Sequence, residues 1–538
     1  MKYYMLIILL IIFNGCGGNS SNKYNEENNK IKIFDNTDEF KIKKIDTINF
    51  KINNNKKDLY IIFTNTTNNR YNINLVKNNT FATKKNINKY NKINNVKYTP
   101  NNITSFNHKT IINKKNIINK INNNNIKKTQ KKFYLKKDTS ISTVASLKKN
   151  LTNINTKYGK KNLNIWVSDD SYGDNCIKDY CVKDYMIEKL AKVFLQDGED
   201  NDIYDWVTNI FGEEWGENNN NSLINKTDEI NILLTDINND NKIVSGVTGY
   251  FYAKDNYKKS VYSGSNEKIM FYIDSVLFAS YYGEDEWSIK NPQPQKIIST
   301  LAHEFEHMIE FYQKNVLQNN SGLKPWIDEM LAVSTEDIIA TKLQTKGIRG
   351  VSYIRGDAGE KYNPYGKFST FNQNINQTLP IWNNTKKDYA MVASFGAYLI
   401  RNYGGAKLLH DIMHNNYNDE QAIVFATQNS INGEDKNFDT LMQDWGIAVL
   451  LSSNTDLDID SGYIYNLDDF FETQYNNINY SMGSINFFNY YEQPNIAKNI
   501  NSIAPKSNLY YKIADKSTST ISIKINKNPN IKMALVSK

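Results

Sequence analysis

Cysteine is nearly absent: the 538 residues hold three, Cys16, Cys176 and Cys181. That argues against a disulfide-stapled scaffold. It also argues against a cysteine metal site, because Cys176 and Cys181 have no second pair to complete one. In an exported chain these two are expected to close a small disulfide loop, with two free thiols as the alternative. Proline is scarce, with nine residues, and histidine scarcer, with five. The apolar run Met5–Phe13 is about half of the ~20 residues that a membrane-spanning helix needs. Hydrophobic content is 40%, low for a single compact body of this length, and Asn and Lys are heavy before residue 160. Two to four domains are expected.

The first residues are a charge at Lys2, the apolar core Met5–Phe13, and Asn14-Gly15-Cys16. This order of charge, short apolar core and small residue reads as a signal peptide over 1–15. Gly15-Cys16 resembles a bacterial lipobox, in which Cys16 is lipidated and becomes the new N-terminus. Phe13 and Asn14 depart from the commoner residues there. Residues 16–39 then read as a lipidated tether, opening with the flexible Gly17-Gly18-Asn19-Ser20-Ser21-Asn22. The expected location is outside the cytoplasm, lipid-anchored to a bacterial membrane, with plain secretion as the alternative. Net charge is +8, yet 163–330 holds 29 acidic and 14 basic residues, so the basic excess lies elsewhere. Without a nucleic-acid motif, that excess reads as a solvated spacer rather than a nucleic-acid surface.

Against the scarcity of histidine, two stand four apart in His303-Glu304-Phe305-Glu306-His307. A random chain of this composition would show H-E-x-x-H roughly 0.005 times, which disfavours chance. The surrounding Ile297–Ile309 has apolar residues at helical spacing and no Gly or Pro, and Pro292 and Pro294 are placed to stop the preceding segment. On a helix, residues four apart share a face, so both imidazoles reach one ion, and Glu304 lies beside them as a general base. Zinc lowers the pKa of a bound water to about 7, which is the chemistry an amide hydrolase needs.

A catalytic zinc has three protein ligands and an open position. The pattern with a third histidine is rejected, since Glu310 and Gln313 occupy its Gly and His positions. The next helix candidate, opening at Pro325, offers Glu329, 22 residues after His307. Glu336 and Asp337, about two turns further, are rival ligands or partners that orient an imidazole N–H. The runs A-H-E-F-E-H-M-I and W-I-D-E-M-L-A resemble the hyicolysin family of zinc metallopeptidases, within the Glu-ligand zincins. The likeness runs from about Leu163 to Thr427 and includes Leu163–Val167, Ile230–Ile237 and Gly249–Phe251. It implies a zinc endopeptidase with His303, His307 and Glu329 as ligands, Glu304 as base, and a protein or peptide substrate. Asp328 and Met330 depart from the W-x-N-E-G common around the third ligand.

The expected fold is α+β: a zincin-type catalytic domain over 151–470, with a mixed sheet over the H-E-x-x-H helix and a helical lobe after it. Flanking it are a small β module at 40–85, a linker or pro-segment at 86–150, and a C-terminal β domain at 480–538. Val247–Tyr252 is the candidate edge strand for pairing with substrate backbone. Tyr389, opening a helix over Asp388–Tyr403, is the candidate donor to the oxyanion by likeness to other Glu-ligand zincins. His410 and His414 repeat the four-residue spacing, but Asp411 holds the position of the base, so packing histidines are expected, with His410 as a lesser oxyanion candidate. Asp236-x-Asn238-x-Asp240 opens like a calcium loop but lacks its sixth-position Gly, which favours a polar turn. The competing function is a surface adhesin or binding lipoprotein on a silent zincin scaffold. Its mark would be loss of one of the four site residues. A third reading is a zymogen whose N-terminal region must be removed.

Overall fold

A computed structural model describes residues 32–36, 42–46, 49–54, 57–77, 101–109, 111–112, 129–319, 321–498, 502–516 and 520–538. The expected signal peptide, Cys16 and most of the tether lie outside these. Among the described residues no helix is long and apolar enough to cross a membrane.

The protein is a mixed α+β structure. A six-stranded sheet runs in the order Gly249–Phe251, Ile269–Asp274, Glu229–Thr235, Gly159–Ser168, Ser142–Thr156, Gln130–Tyr134. Its middle three strands are parallel and almost wholly buried, which is why they read as unbroken apolar runs. Gly249–Phe251 pairs antiparallel at one edge, within the span expected for the edge strand. At the other end, Gln130–Tyr134 and Ser142–Thr156 extend the sheet from the segment read as linker or pro-segment. Only one residue of each strand is fully buried, so their sequence carries little apolar alternation.

Helices Asp184–Phe194 and Ile203–Phe211 back this sheet, and the metal helix Pro292–Glu310 lies beside them. Phe305 joins the layers, with ring centroids 5.3 Å from Phe194 and 5.8 Å from Phe271. The metal helix starts earlier than the sequence pattern suggested. Pro292 and Pro294 belong to its first turn, where a missing N–H costs nothing. It continues as a π-helical turn, Phe311–Leu317. The edge strand presses closely on it: a Cβ on Gly249 would come within 3.1 Å of Thr300, and Thr300 bonds Thr248 at 3.0 Å.

Two further helices complete the frame of the site. Pro325–Ile338 follows the metal helix, and Lys386–Asn402 packs on it. The latter is started by a capping box between Thr385 and Asp388. At the crossing Gly396 leaves no room for a side chain, since a Cβ there would lie 2.3 Å from Ser334 Oγ and 3.1 Å from Met330 Cγ. Gly396→Ala gains about 1 kcal/mol of helix propensity, but overpacking costs about 1–3 kcal/mol. The expected result is a net destabilisation on the order of 1 kcal/mol, readable by urea unfolding. An unchanged midpoint would show that the helices separate freely.

The flanking β segments do not form two separate modules. Strands from both chain ends alternate in a five-stranded and a four-stranded sheet. Thr520–Lys527 lies between Asn49–Asn54 and Tyr71–Lys77, and Ile531–Ser537 between Leu59–Asn65 and Ile42–Ile45. Each end alone would leave unpaired edges and half a core, so the two complete each other. This β unit sits on helix Phe438–Leu451 through Asn508 Nδ2 to the Met442 carbonyl (3.0 Å) and Gln443 Nε2 to that of Met533 (3.1 Å).

Candidate metal centre

On the metal helix His303 and His307 lie one turn apart, and their Nε2 atoms are 3.1 Å from each other. Glu329, on Pro325–Ile338, completes a triangle: its Oε2 is 3.3 Å from His303 Nε2 and 3.6 Å from His307 Nε2. A tetrahedral zinc with bonds of 2.0–2.1 Å separates its ligand atoms by about 3.3 Å, so the three donors fit this ion. The charge pattern fits as well. Burial opposes ionisation of Glu329, yet hydrogen bonds from His303 and His307 hold its carboxyl down at about 2. Burial likewise disfavours a charged His303, but its bonds to Glu329 and Glu336 push it up to about 9.

Carboxylates also face the outer nitrogens. His303 Nδ1 is 3.0 Å from Glu336 Oε1, and His307 Nδ1 is 2.9 Å from Asp328 Oδ1. Such partners fix the ring orientation and tautomer of a ligating imidazole. Of the two rival acids, Glu336 is placed as an orienting partner, whereas Asp337 pairs with Arg401 at 2.6 Å. The sequence pattern does not point to this role of Asp328. Its only signal in the sequence was the departure from the family pattern immediately before Glu329.

Glu304 points to the edge strand, where its Oε2 accepts the Phe251 N–H at 2.8 Å. Burial pushes its carboxyl above the usual range, against the pull of His303 and His307. Tyr389 comes to the same site, but its hydroxyl donates to Glu329 Oε1 at 2.9 Å. Glu306, the remaining acid of the motif, is fully buried, and burial with the nearby Asp328 raises its carboxyl well above the usual range.

Residues 142–466 match the family described as Peptidase M30. The chain belongs to the peptidase M30 family. This M30 chain is also similar to the neutral metalloprotease ShpI of Staphylococcus hyicus, with 26% identity over 276 residues, which is 50% of this chain and 52% of that protein. The chain thus spans about half the length of the curated relative it matches.

Other sequence candidates lie apart from this M30 site. His410 Nδ1 is 2.8 Å from the Ile210 carbonyl and His414 Nε2 is 3.0 Å from that of Phe211, so both serve the end of helix Ile203–Phe211. Asp236 is engaged by the N–H groups of Asp240 and Asn241 and by Lys178 Nζ at 2.8 Å, the arrangement of a polar turn. Cys176 and Cys181 are joined as a disulfide.

Proposed function

We propose that this M30 peptidase is a zinc-dependent endopeptidase with a zincin-type catalytic core. His303, His307 and Glu329 hold the ion, and Glu304 is the general base. The observation that carries this reading is the triangle of three donor atoms at 3.1, 3.3 and 3.6 Å, with Glu304 on the adjoining position of the same helix. A zinc ion held there supplies Lewis acidity. Glu304 takes the proton of the attacking water and returns it to the leaving amine nitrogen. The edge strand Gly249–Phe251 offers its backbone to an extended substrate. Asp328 and Glu336 keep the imidazoles in register. The N-terminal pattern ending at Cys16 supports an exported protein anchored by lipid to a bacterial membrane.

Hydrolysis of unfolded casein, lost with a zinc chelator and restored by added zinc, tests the reading. A folded, zinc-loaded protein that never cleaves would sink it. Tyr389→Phe then decides what the phenol does. If it only braces Glu329, zinc affinity is expected to fall about 10–100-fold with little change in kcat for the loaded enzyme. If it swings to the oxyanion, kcat is expected to fall about 10²–10³-fold at unchanged zinc affinity.

A further inference from the structure

The site is closed to solvent. His303, Glu304, His307 and Glu329 are 3, 2, 7 and 1% exposed, although cleavage requires a polypeptide to reach them. Part of what covers the edge strand belongs to the same chain: the short helix Asn101–Asn107 and the two residues after it.

Asn107 clasps the end of the edge strand and the 3-10 turn Ala253–Asn256 that follows it. Its Nδ2 donates to the Phe251 carbonyl at 3.0 Å, and its Oδ1 accepts the Ala253 N–H at 2.9 Å. That is the donor–acceptor pair an added strand would present to the same backbone groups. The Asn107 carbonyl accepts in turn from Asn315 Nδ2 at 3.2 Å, on the continuation of the metal helix. Phe106 lodges among Tyr252, Tyr257 and Tyr262, with ring centroids 5.1, 6.2 and 5.2 Å away. Ile103 is buried nearby. His108 Nε2 lies 3.1 Å from Asp328 Oδ2, on the carboxylate whose other oxygen meets His307. The segment therefore spans from the substrate-pairing edge to the residue preceding the third ligand.

We propose that residues 103–108 are an intramolecular inhibitory segment that occupies the substrate groove and must leave before a polypeptide can bind. This rests on the peptidase reading above, since it regulates that site. A seven-residue helix has little stability of its own and stays only by its contacts. Two of those contacts, from Asn107 to Phe251 and Ala253, are made by one side chain on backbone groups that a substrate strand would pair more fully. A groove that is open only part of the time binds with an affinity lowered by that fraction.

The test uses the full chain in a Glu304→Gln background, so that binding is read without hydrolysis. The probe is a fluorescein-labelled unfolded casein fragment followed by anisotropy, with amide hydrogen exchange at Ala253 as a second readout. The triple change Phe106→Ala, Asn107→Ala, His108→Ala is expected to bind the fragment at least about tenfold more tightly and to speed Ala253 exchange. If Ala253 exchanges faster and the affinity does not rise, the segment does not compete with substrate and the proposal falls. Unchanged exchange at Ala253 means that no clasp exists, and the proposal falls equally. Should the triple change prevent folding, Asn107→Ala alone leaves Ile103 and Phe106 in place and is read the same way. The same changes in the zinc-loaded Glu304 protein separate the two ideas. Tighter binding without any hydrolysis shows that the segment covers a polypeptide-binding groove and removes the peptidase reading.

Discussion

Glu304→Gln is expected to lower kcat/KM on unfolded casein by about 10²–10⁴-fold while the protein still folds and binds one zinc ion. The substitution keeps the shape of the side chain and an oxygen that accepts the Phe251 N–H, now made at 2.8 Å by Oε2. It leaves the triangle of His303, His307 and Glu329 untouched. What it removes is basicity, since an amide takes no proton near neutral pH. Burial raises the affinity of Glu304 for that proton above that of a solvated carboxylate, as a base in this position requires. Steady-state rates and bound zinc are measured on the same preparation. Activity close to that of the unchanged protein would remove Glu304 from the role of base. Loss of zinc together with activity would make the residue structural instead.

The metal helix was legible because its signal is local. Four-residue spacing, apolar flanks and an intervening Glu all follow from one helical period, and Glu329, the proposed third ligand, stood on the next helix start. Spacing alone was not sufficient. His410 and His414 share it, and their rings serve the carbonyls of Ile210 and Phe211. The difference lies in the buried carboxylates that surround His303 and His307, and these come from another helix. Glu336 was readable as an acid two turns beyond Glu329, whereas Asp328 gains its role only once the two helices pack. The β unit was least legible. Thr64 and Asn508 bond across 444 residues, and a pairing of that reach leaves no mark on either local sequence. The inhibitory contacts of Asn107 and His108 are of the same kind, since each depends on a partner far along the chain.

Glu329→Gln is expected to weaken zinc binding by more than the 10–100-fold typical of losing an orienting partner. It is also expected to remove the thermal stabilisation that zinc gives. The carboxylate is 1% exposed and keeps its charge despite burial because both imidazoles face it. An uncharged amide offers neither that charge nor a comparable donor to a divalent cation. An ion bound at a hundred times its Kd stabilises the fold by about 2.7 kcal/mol. A chelator should therefore lower the melting temperature of the unchanged protein and leave that of Glu329→Gln where it was. Zinc titration against a competing chelator, with melting curves on both proteins, reads both effects. If zinc binding survived Glu329→Gln and failed in Glu336→Gln, the third ligand would be Glu336. The geometry argues against that outcome. Glu336 meets His303 at Nδ1, whereas the Nε2 atoms of both histidines converge on Glu329, and an ion shared by the two rings must lie on that side.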